Sequence, residues 1–353
     1  MVKIRTNQTK NFSVVEIKKY FLLGNTAYLQ KEFDKAIAYF QKALEILESM
    51  GGFYRVANAY GNYFCAFLQD QRLFDKAFQN ALEIFKDAED LHKVANAYLS
   101  LGILVAEQEQ FEDAIAYFQN ALQVFEDVED FHGVADVYHN LGIVALLLDK
   151  TDEAISYLQK SLQVSEGVKD FNNVAKSCHN RGVIAQQQQK WEEAIAYYEK
   201  AIQAFETSGN SSEAAKHYLL VGPLCVEQGS WYKGLDYLEK SFEIYSKEND
   251  YQLLAKTTYQ IARTHHLMSN FDKSRIYYRD ALRIYEHIKD QQGIALCKTG
   301  LGWLMVQIGF VEDALLELEK AREIYGQLDD QLRINEVEKM VNLIEQMKEK
   351  QLK

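Results

Sequence analysis

Apolar and small side chains recur along this chain with a period of 40 residues. The segment from Phe111 to Ala121 and the segment from Trp191 to Ala201 show the same order of aromatic, acidic, apolar and small residues. Within one period the apolar positions lie three or four residues apart, which places them on one face of an α-helix. The pattern predicts two amphipathic helices in each 40-residue unit and no β-strand.

Each unit carries a fixed frame of small and large residues. The first helix carries one small residue, and a second small residue follows twelve residues later in the second helix. A large residue comes four residues after the second small residue, and a third small residue comes three residues after the large one. The small residue of the first helix is Gly24, Gly102, Gly142, Gly182, Gly222, Ala262 or Gly302. The large residue of the second helix is Phe40, Phe118, Leu158, Tyr198, Leu238, Tyr278 or Leu318. We expect the first to let the two helices approach closely and the large residue to fill the gap between units.

This frame resembles the tetratricopeptide repeat, and about seven copies in register cover roughly residues 14–325. The usual repeat of that family has 34 residues and ends near a proline, whereas each unit here is longer and lacks the proline. In this respect the chain is similar to the long repeats of kinesin light chains, Pins-type spindle adaptors and bacterial Rap-type regulators. The resemblance implies an all-α, right-handed superhelical solenoid of about eight helix-turn-helix units.

The chain is predicted to have three parts. Residues 1–13 are expected to form a flexible tail, residues 14–329 the repeat array, and residues 330–353 a capping helix. The capping prediction rests on an apolar stripe among polar residues, which would cover the open end of the stack. The stripe consists of Ile334, Val337, Val341, Ile344 and Met347.

Many acidic residues are explained by helix ends. Aspartate and asparagine are good helix N-caps, and one of them precedes the first helix of successive units: Asp90, Asp130, Asp170, Asn210, Asp250, Asp290 and Asp330. Acidic pairs fall in the first turn of several second helices, where the helix dipole favours negative charge; they are Glu112-Asp113, Asp152-Glu153, Glu192-Glu193 and Glu312-Asp313. We therefore attribute much of the net charge of -12 to structure rather than to a binding site.

Composition narrows the function classes. The negative net charge weighs against a nucleic-acid partner, and no apolar run approaches the roughly 20 residues that a membrane span needs. The first twelve residues lack the apolar core of a secretory signal. The widely separated cysteines are predicted to be buried thiols in a reducing compartment; they are Cys65, Cys178, Cys225 and Cys297. We expect a soluble, cytoplasmic protein.

Motifs of catalysis are missing from the sequence. It contains no glycine-rich phosphate loop, no HExxH and no GxSxG. His265 and His266 are adjacent and would point apart on a helix. His139 and His179 occupy one position of the repeat and could face each other across neighbouring units, but no third metal ligand accompanies them. The sequence predicts no enzyme, no cofactor and no metal site.

One proline interrupts an otherwise helix-compatible chain. Pro223 follows Gly222 inside a predicted first helix. Proline removes one backbone hydrogen bond, so we expect a kink there with a freed carbonyl near Leu219.

The resemblance implies that first helices line a concave surface. It also implies that three positions face inward: six and two residues before the small residue of the first helix, and one residue after it. At the position two residues before the small residue, three units carry asparagine: Asn62, Asn140 and Asn180. The side-chain amide of asparagine can both donate to and accept from a peptide backbone. At the position six residues before the small residue, three consecutive units carry lysine: Lys176, Lys216 and Lys256. The other candidates for this groove are His139, His179, Tyr259 and Arg263.

These features predict a protein-interaction scaffold or adaptor. Its groove would hold a peptide segment or helix of a partner protein, and the lysines favour a partner with an acidic stretch. Glu227, at another inward position, could partly neutralise the lysines. A Rap-type regulator that senses a free peptide and a self-assembling structural subunit are the alternative functions.

Overall fold

The computed structural model describes residues 91–351 and, before them, only Lys19, Tyr20, Leu23, Lys35 and Lys42. Residues 91–351 contain helices and turns but no strand, which confirms the all-α prediction for this range. The predicted tail and, apart from those five residues, the first two units lie outside the described residues, as do Asn62, Cys65 and Asp90. The helices are α1 (Leu91–Glu107), α2 (Phe111–Asp127), α3 (Phe131–Leu147), α4 (Thr151–Val168), α5 (Phe171–Gln187), α6 (Trp191–Thr207), α7 (Ser211–Glu227), α8 (Trp231–Glu248), α9 (Tyr251–Leu267), α10 (Phe271–His287), α11 (Gln291–Gln307), α12 (Val311–Gln327) and α13 (Gln331–Gln351).

The turns between these helices repeat every 20 residues. In the first turn the backbone N–H of Gln110 donates to the carbonyl of Val105 at 2.9 Å, and that of Glu109 donates to Ala106 at 3.0 Å. This pair of bonds is a Schellman motif, which requires a left-handed residue after the helix. Each of the twelve turns between residues 91 and 351 has such a residue: Glu109, Glu129, Asp149, Lys169, Gln189, Gly209, Gly229, Asn249, Ser269, Lys289, Gly309 and Asp329.

The predicted N-caps are confirmed at five helices. The side chain of Asp130 accepts from the backbone N–H of Gly133 at 3.1 Å. Four further residues make the corresponding bond three residues ahead: Asn210, Asp250, Asp290 and Asp330. The acidic pairs lie in the first turns of α2, α4, α6 and α12, as predicted. Much of the negative charge therefore stabilises helix starts.

Glycine lets the two helices of a hairpin touch. A methyl group added at Gly102 would lie 2.4 Å from the ring of Phe118, and one added at Gly182 would lie 2.6 Å from that of Tyr198. The large residue of the frame thus covers the glycine of its own hairpin. The expected contact with the next unit is found at Tyr278, because a methyl group added at Gly300 of the next hairpin would lie 2.5 Å from its ring.

A second aromatic residue makes the contact between hairpins. Phe125, seven residues after Phe118, lies so close to Gly133 of the next hairpin that an added methyl would be 2.3 Å from its ring. Tyr285 makes the same contact with Gly293 at 2.1 Å. Both aromatic rings are almost fully buried. A position that the frame did not include therefore also joins neighbouring hairpins.

The described residues belong to two compact units, one ending at Asp170 and the other starting at Phe171. Helices α1 to α4 lie in the first and α5 to α13 in the second. In each unit consecutive helices pack against each other as hairpins. First helices of successive hairpins also contact each other directly, α1 with α3 in one unit, and α7 with α9, α9 with α11 and α11 with α13 in the other. No pair of second helices in residues 91–351 packs to the same extent, so the first helices form the inner layer of each unit.

Helix α13 packs on α12 through the predicted apolar stripe. Val337 and Ile344 are buried against Leu318 and Tyr325. Met347, the last member of the stripe, is 45% exposed. Helix α7 runs unbroken through Pro223, and the kink there stays a prediction. None of the helices in the described range is long and apolar enough to cross a membrane.

Candidate functional site

Of the predicted asparagines in the described range, Asn140 lies half-buried on the first helix α3. The Asn140 amide Nδ2 donates to the carbonyl of Asp136 at 2.8 Å, one turn earlier on the same helix. Asn96 makes the equivalent bond to His92 at 2.8 Å. One donor of these amides is thus used within the helix, while the amide oxygen of Asn140 is still able to accept. Asn180 is also half-buried.

All three predicted lysines are exposed on first helices of the compact unit that starts at Phe171. Lys176 lies on α5, Lys216 on α7 and Lys256 on α9. Lys216 forms an ion pair with Glu213, three residues earlier on its own helix. Comparing identical repeat positions overlooked this acid, although spacing of three on a helix is a recognisable pairing signal. The positive charge of the three lysines is therefore partly neutralised at Lys216, the middle one.

Arg263 has the acidic neighbour that the sequence suggested. Its guanidinium lies 3.5 Å from an oxygen of Glu227, and both side chains are about half exposed. Two hairpins contribute the two residues, Glu227 coming from α7 and Arg263 from α9. A loose exposed pair of this kind adds little stability, so Arg263 keeps donors for another acceptor.

A histidine pair lies on the first helices α5 and α7. Nδ1 of His179 is 3.1 Å from Nε2 of His217, and Nδ1 of His217 is 2.8 Å from the carbonyl oxygen of Glu213. Only a protonated Nδ1 can donate to that carbonyl, so the neutral His217 ring accepts from His179. Burial lowers the pKa of both rings, and the neighbouring His217 lowers that of His179 further.

The histidine contact has a spacing that sequence analysis did not use. His179 and His217 are 38 residues apart, whereas the analysis matched His139 and His179 at 40. The pairs His132–Asp170 and Tyr237–Glu199 are also separated by 38. His139 is buried on α3. In these three pairs the side chains of neighbouring hairpins meet two residues short of the repeat period.

A cavity of about 410 Å³ lies in the second unit, lined mainly by the first helices α9 and α11 and by α13. The predicted residues Tyr259 and Arg263 line it. So do Leu296, Gly300 and Trp303 of α11, which occupy the three positions that the resemblance places inward. The cavity thus faces the inner layer of helices, although sequence analysis did not anticipate a cavity there.

Aromatic and polar side chains share this cavity. The rings of Tyr259 and Tyr278 meet edge to face with centroids 5.7 Å apart. Nε2 of His266 lies 2.9 Å from Oε1 of Gln307, and Arg333 of α13 donates to Glu336 at 2.8 Å. Burial raises the pKa of Tyr259, while its position near Arg263 and Arg333 counteracts this shift.

Metal and thiol chemistry find no support in the described range. Within residues 91–351 no three side chains of histidine, cysteine, aspartate or glutamate are close enough together to hold a metal ion. Cys178, Cys225 and Cys297 are buried thiols. Burial raises the pKa of the Cys297 thiol to about 12, which keeps it protonated and unreactive at neutral pH.

Comparison with family models gives matches along most of the chain. A model described as "Tetratricopeptide repeat" matches residues 55–127, 93–167 and 213–287. A second model with the same description matches residues 17–50 and 175–208. A search of curated proteins found no match.

Solved structures show the same fold at low sequence identity. One is a signal transduction ATPase with numerous domains, with a tetratricopeptide repeat sensor, from Pyrococcus horikoshii; it is 16% identical, with a TM-score of 0.61. The match covers 94% of this chain and 50% of that protein, so this chain spans half the length of that relative. Another is aspartyl phosphate phosphatase F from Bacillus subtilis, 19% identical, with 80% and 73% of the two chains covered and a TM-score of 0.52.

Proposed function

Because this chain belongs to the tetratricopeptide repeat family, we propose that it is a protein-interaction scaffold whose inner layer of first helices holds a peptide segment or helix of a partner protein. Proteins built from these repeats generally act as non-enzymatic scaffolds. We propose that this chain is likewise a non-enzymatic scaffold and that its inner-layer residues bind the partner protein.

The observation that carries the proposal is the set of exposed lysines on α5, α7 and α9. Lys176, Lys216 and Lys256 occupy the same position in three successive hairpins and are not used in packing. The first helices that carry them form the inner layer, and a segment lying along that layer would pass each lysine in turn. An acidic segment fits this arrangement because its negative charges attract the lysines, whereas a basic segment would be repelled by them.

Single lysine contacts contribute little to this interaction. Exposed ion pairs give about 0 to 1 kcal/mol each, and Lys216 already has Glu213 as a partner. The lysines should therefore act as a set, mainly by attracting the partner during approach. The three buried thiols support the further proposal that the protein works in a reducing compartment such as the cytoplasm.

The proposal is tested by charge reversal. Partners are first captured on the wild-type protein and identified, and the association rate of a purified partner is then measured by biolayer interferometry at several salt concentrations. Changing Lys176, Lys216 and Lys256 to Glu should slow association by about tenfold or more and remove most of its salt dependence.

A matched triple variant makes this test specific. Lys190, Lys247 and Lys289 are exposed, lie outside the first helices and give the same change of net charge when replaced by Glu. The control triple should associate nearly as fast as the wild type. Equal slowing by both triples would mean that only net charge matters, and an unaffected first triple would refute the inner-layer assignment.

A further inference from the structure

We propose that the cavity between α9, α11 and α13 is a separate binding site for a carboxylate carried on an apolar or aromatic body. The site is formed by residues of α9 to α13 and includes none of the three lysines. It is therefore an addition to the scaffold function and stands independently of it.

Charge is the first reason for this assignment. Two guanidinium groups line the cavity, Arg263 from α9 and Arg333 from α13, against one lining carboxylate, Glu336. Glu336 bonds to Arg333 at 2.8 Å, and the acid beside Arg263, Glu227, lies outside the lining. Because burial lowers the pKa of His266, that ring is neutral at pH 7. The lining thus has one positive charge in excess.

Hydrogen-bond donors are the second reason. Tyr325 lines the cavity, but its hydroxyl is buried beside the Thr299 hydroxyl and is not on the accessible surface of the cavity. The nearby Thr299 hydroxyl donates to the carbonyl oxygen of Ala295 at 2.9 Å. The indole N–H of Trp303 and the two guanidinium groups offer donors, and a ligand that accepts hydrogen bonds would satisfy them.

The walls explain the apolar part of the ligand. Tyr259, Tyr278, Trp303, Val337 and Met340 surround most of the space. A volume of about 410 Å³ lies within the range of small-molecule sites, which is about 300 to 1,000 Å³. A planar carboxylate can bond to a guanidinium through both of its oxygens, while its hydrocarbon part contacts the aromatic rings.

The aromatic walls alone would also suit an organic cation. The excess guanidinium charge opposes that ligand, so the two classes can be separated by experiment. Decanoate and decylammonium have the same chain length and opposite charge. Titration calorimetry with the full-length protein should show saturable binding of decanoate and at least about tenfold weaker binding of decylammonium.

Variants test whether the assigned groups are responsible. Replacing Arg263 or Arg333 by Met should weaken decanoate binding about tenfold or more, whereas Arg283→Met, at an exposed arginine of α10, should leave it unchanged. The triple lysine-to-glutamate variant should bind decanoate like the wild type, which separates this site from the scaffold surface.

The source of the carboxylate is decided by a peptide pair. A hexapeptide ending in Leu-Phe with a free carboxyl terminus is compared with its amidated form. Preference for the free acid would mean that the site accepts a chain end, and binding of decanoate alone would mean that it selects a small free acid. The proposal is overturned if neither acid binds saturably, if decylammonium binds as tightly, or if both arginine variants bind like the wild type.

Discussion

The ring of Phe118 lies directly against the α-carbon of Gly102, so close that no side chain fits between them. Gly102 is on α1 and Phe118 on α2, and the contact closes the hairpin. The same pairing holds at Gly142 with Leu158, Gly182 with Tyr198, and Gly302 with Leu318. At these hairpins glycine is therefore favoured by the distance between two helices and not by its backbone freedom, whereas α9 carries Ala262 at the same position.

We predict that Gly102→Ala destabilises the compact unit that contains α1 to α4. The added methyl would lie 2.4 Å from the Phe118 ring, which must move. Overpacking of this kind costs about 1 to 3 kcal/mol. The control is Gly167→Ala in α4, where nothing lies within 4 Å of the added methyl. Thermal unfolding followed by circular dichroism should show a lower midpoint for the first variant only, and equal midpoints would contradict the packing explanation.

The left-handed turns predict a stabilising substitution. Gln189 has φ 59°, a conformation that costs a residue with a Cβ about 1 to 2 kcal/mol. Glycine removes this cost but loses about 0.5 to 1 kcal/mol of chain entropy, so Gln189→Gly should stabilise by roughly 0.5 to 1 kcal/mol. The reverse change, Gly229→Ala, has open space around the methyl and should destabilise through the backbone alone. Thermal midpoints that do not move in opposite directions would argue against this balance.

The pair of His179 and His217 predicts a pH effect on stability. Both have pKa values lowered by burial, so the unfolded chain binds protons near the ordinary value of 6.5 while the folded rings do so only at lower pH. The stability from the neutral pair is complete above pH 6.5 and is lost as the pH falls below it. Glu213, which raises the pKa of both rings, and Lys216, which lowers that of His217, moderate the effect.

The measurement is the thermal midpoint between pH 8 and pH 5.5. His217→Gln should show a smaller decrease than the wild type because one proton-sensitive ring is gone. His287→Gln, at an exposed histidine of α10, serves as the control and should decrease like the wild type. An unchanged slope in His217→Gln would mean that this pair does not control the pH dependence.

The asparagines of the inner layer give a binding prediction. If Asn140 and Asn180 contact the backbone of a bound segment, replacing both by Ala should weaken partner binding by about 1 to 3 kcal/mol. The fold should survive because both side chains are only half-buried. Affinity for the captured partner, measured by titration calorimetry, checks this. Unchanged affinity would leave the Asn140 bond to Asp136 as that residue's only identified role.

Much of the fold follows from features that are local in the sequence. Helix periodicity, the N-cap at Asp130 and the small residue at Gly102 each depend on a few neighbouring residues, and all three were predicted correctly. The turn residues were not recognised, because nine of the twelve are not glycine. A left-handed glutamate such as Glu109 has no compositional signal of its own.

Contacts between hairpins were harder to predict. A period of 40 places His139 opposite His179, but contact depends on where two helices approach, and His179 meets His217. The inter-hairpin ring of Phe125 was missed for a related reason, since its contact with Gly133 forms only when hairpins stack. The cavity behind Arg263 requires α13, whose register against α11 is not contained in the repeat.

The regular spacing of the turns has a consequence for how this protein can change in length. A left-handed residue closes a helix every 20 residues between Glu109 and Asp329. An insertion of one residue inside a helix rotates every later side chain by about 100° and would turn buried faces outward. Duplication or deletion of a whole helix pair, joined at two such turns, keeps every later residue on its original face. Gene rearrangements in steps of 40 codons are therefore the changes in length that this architecture tolerates.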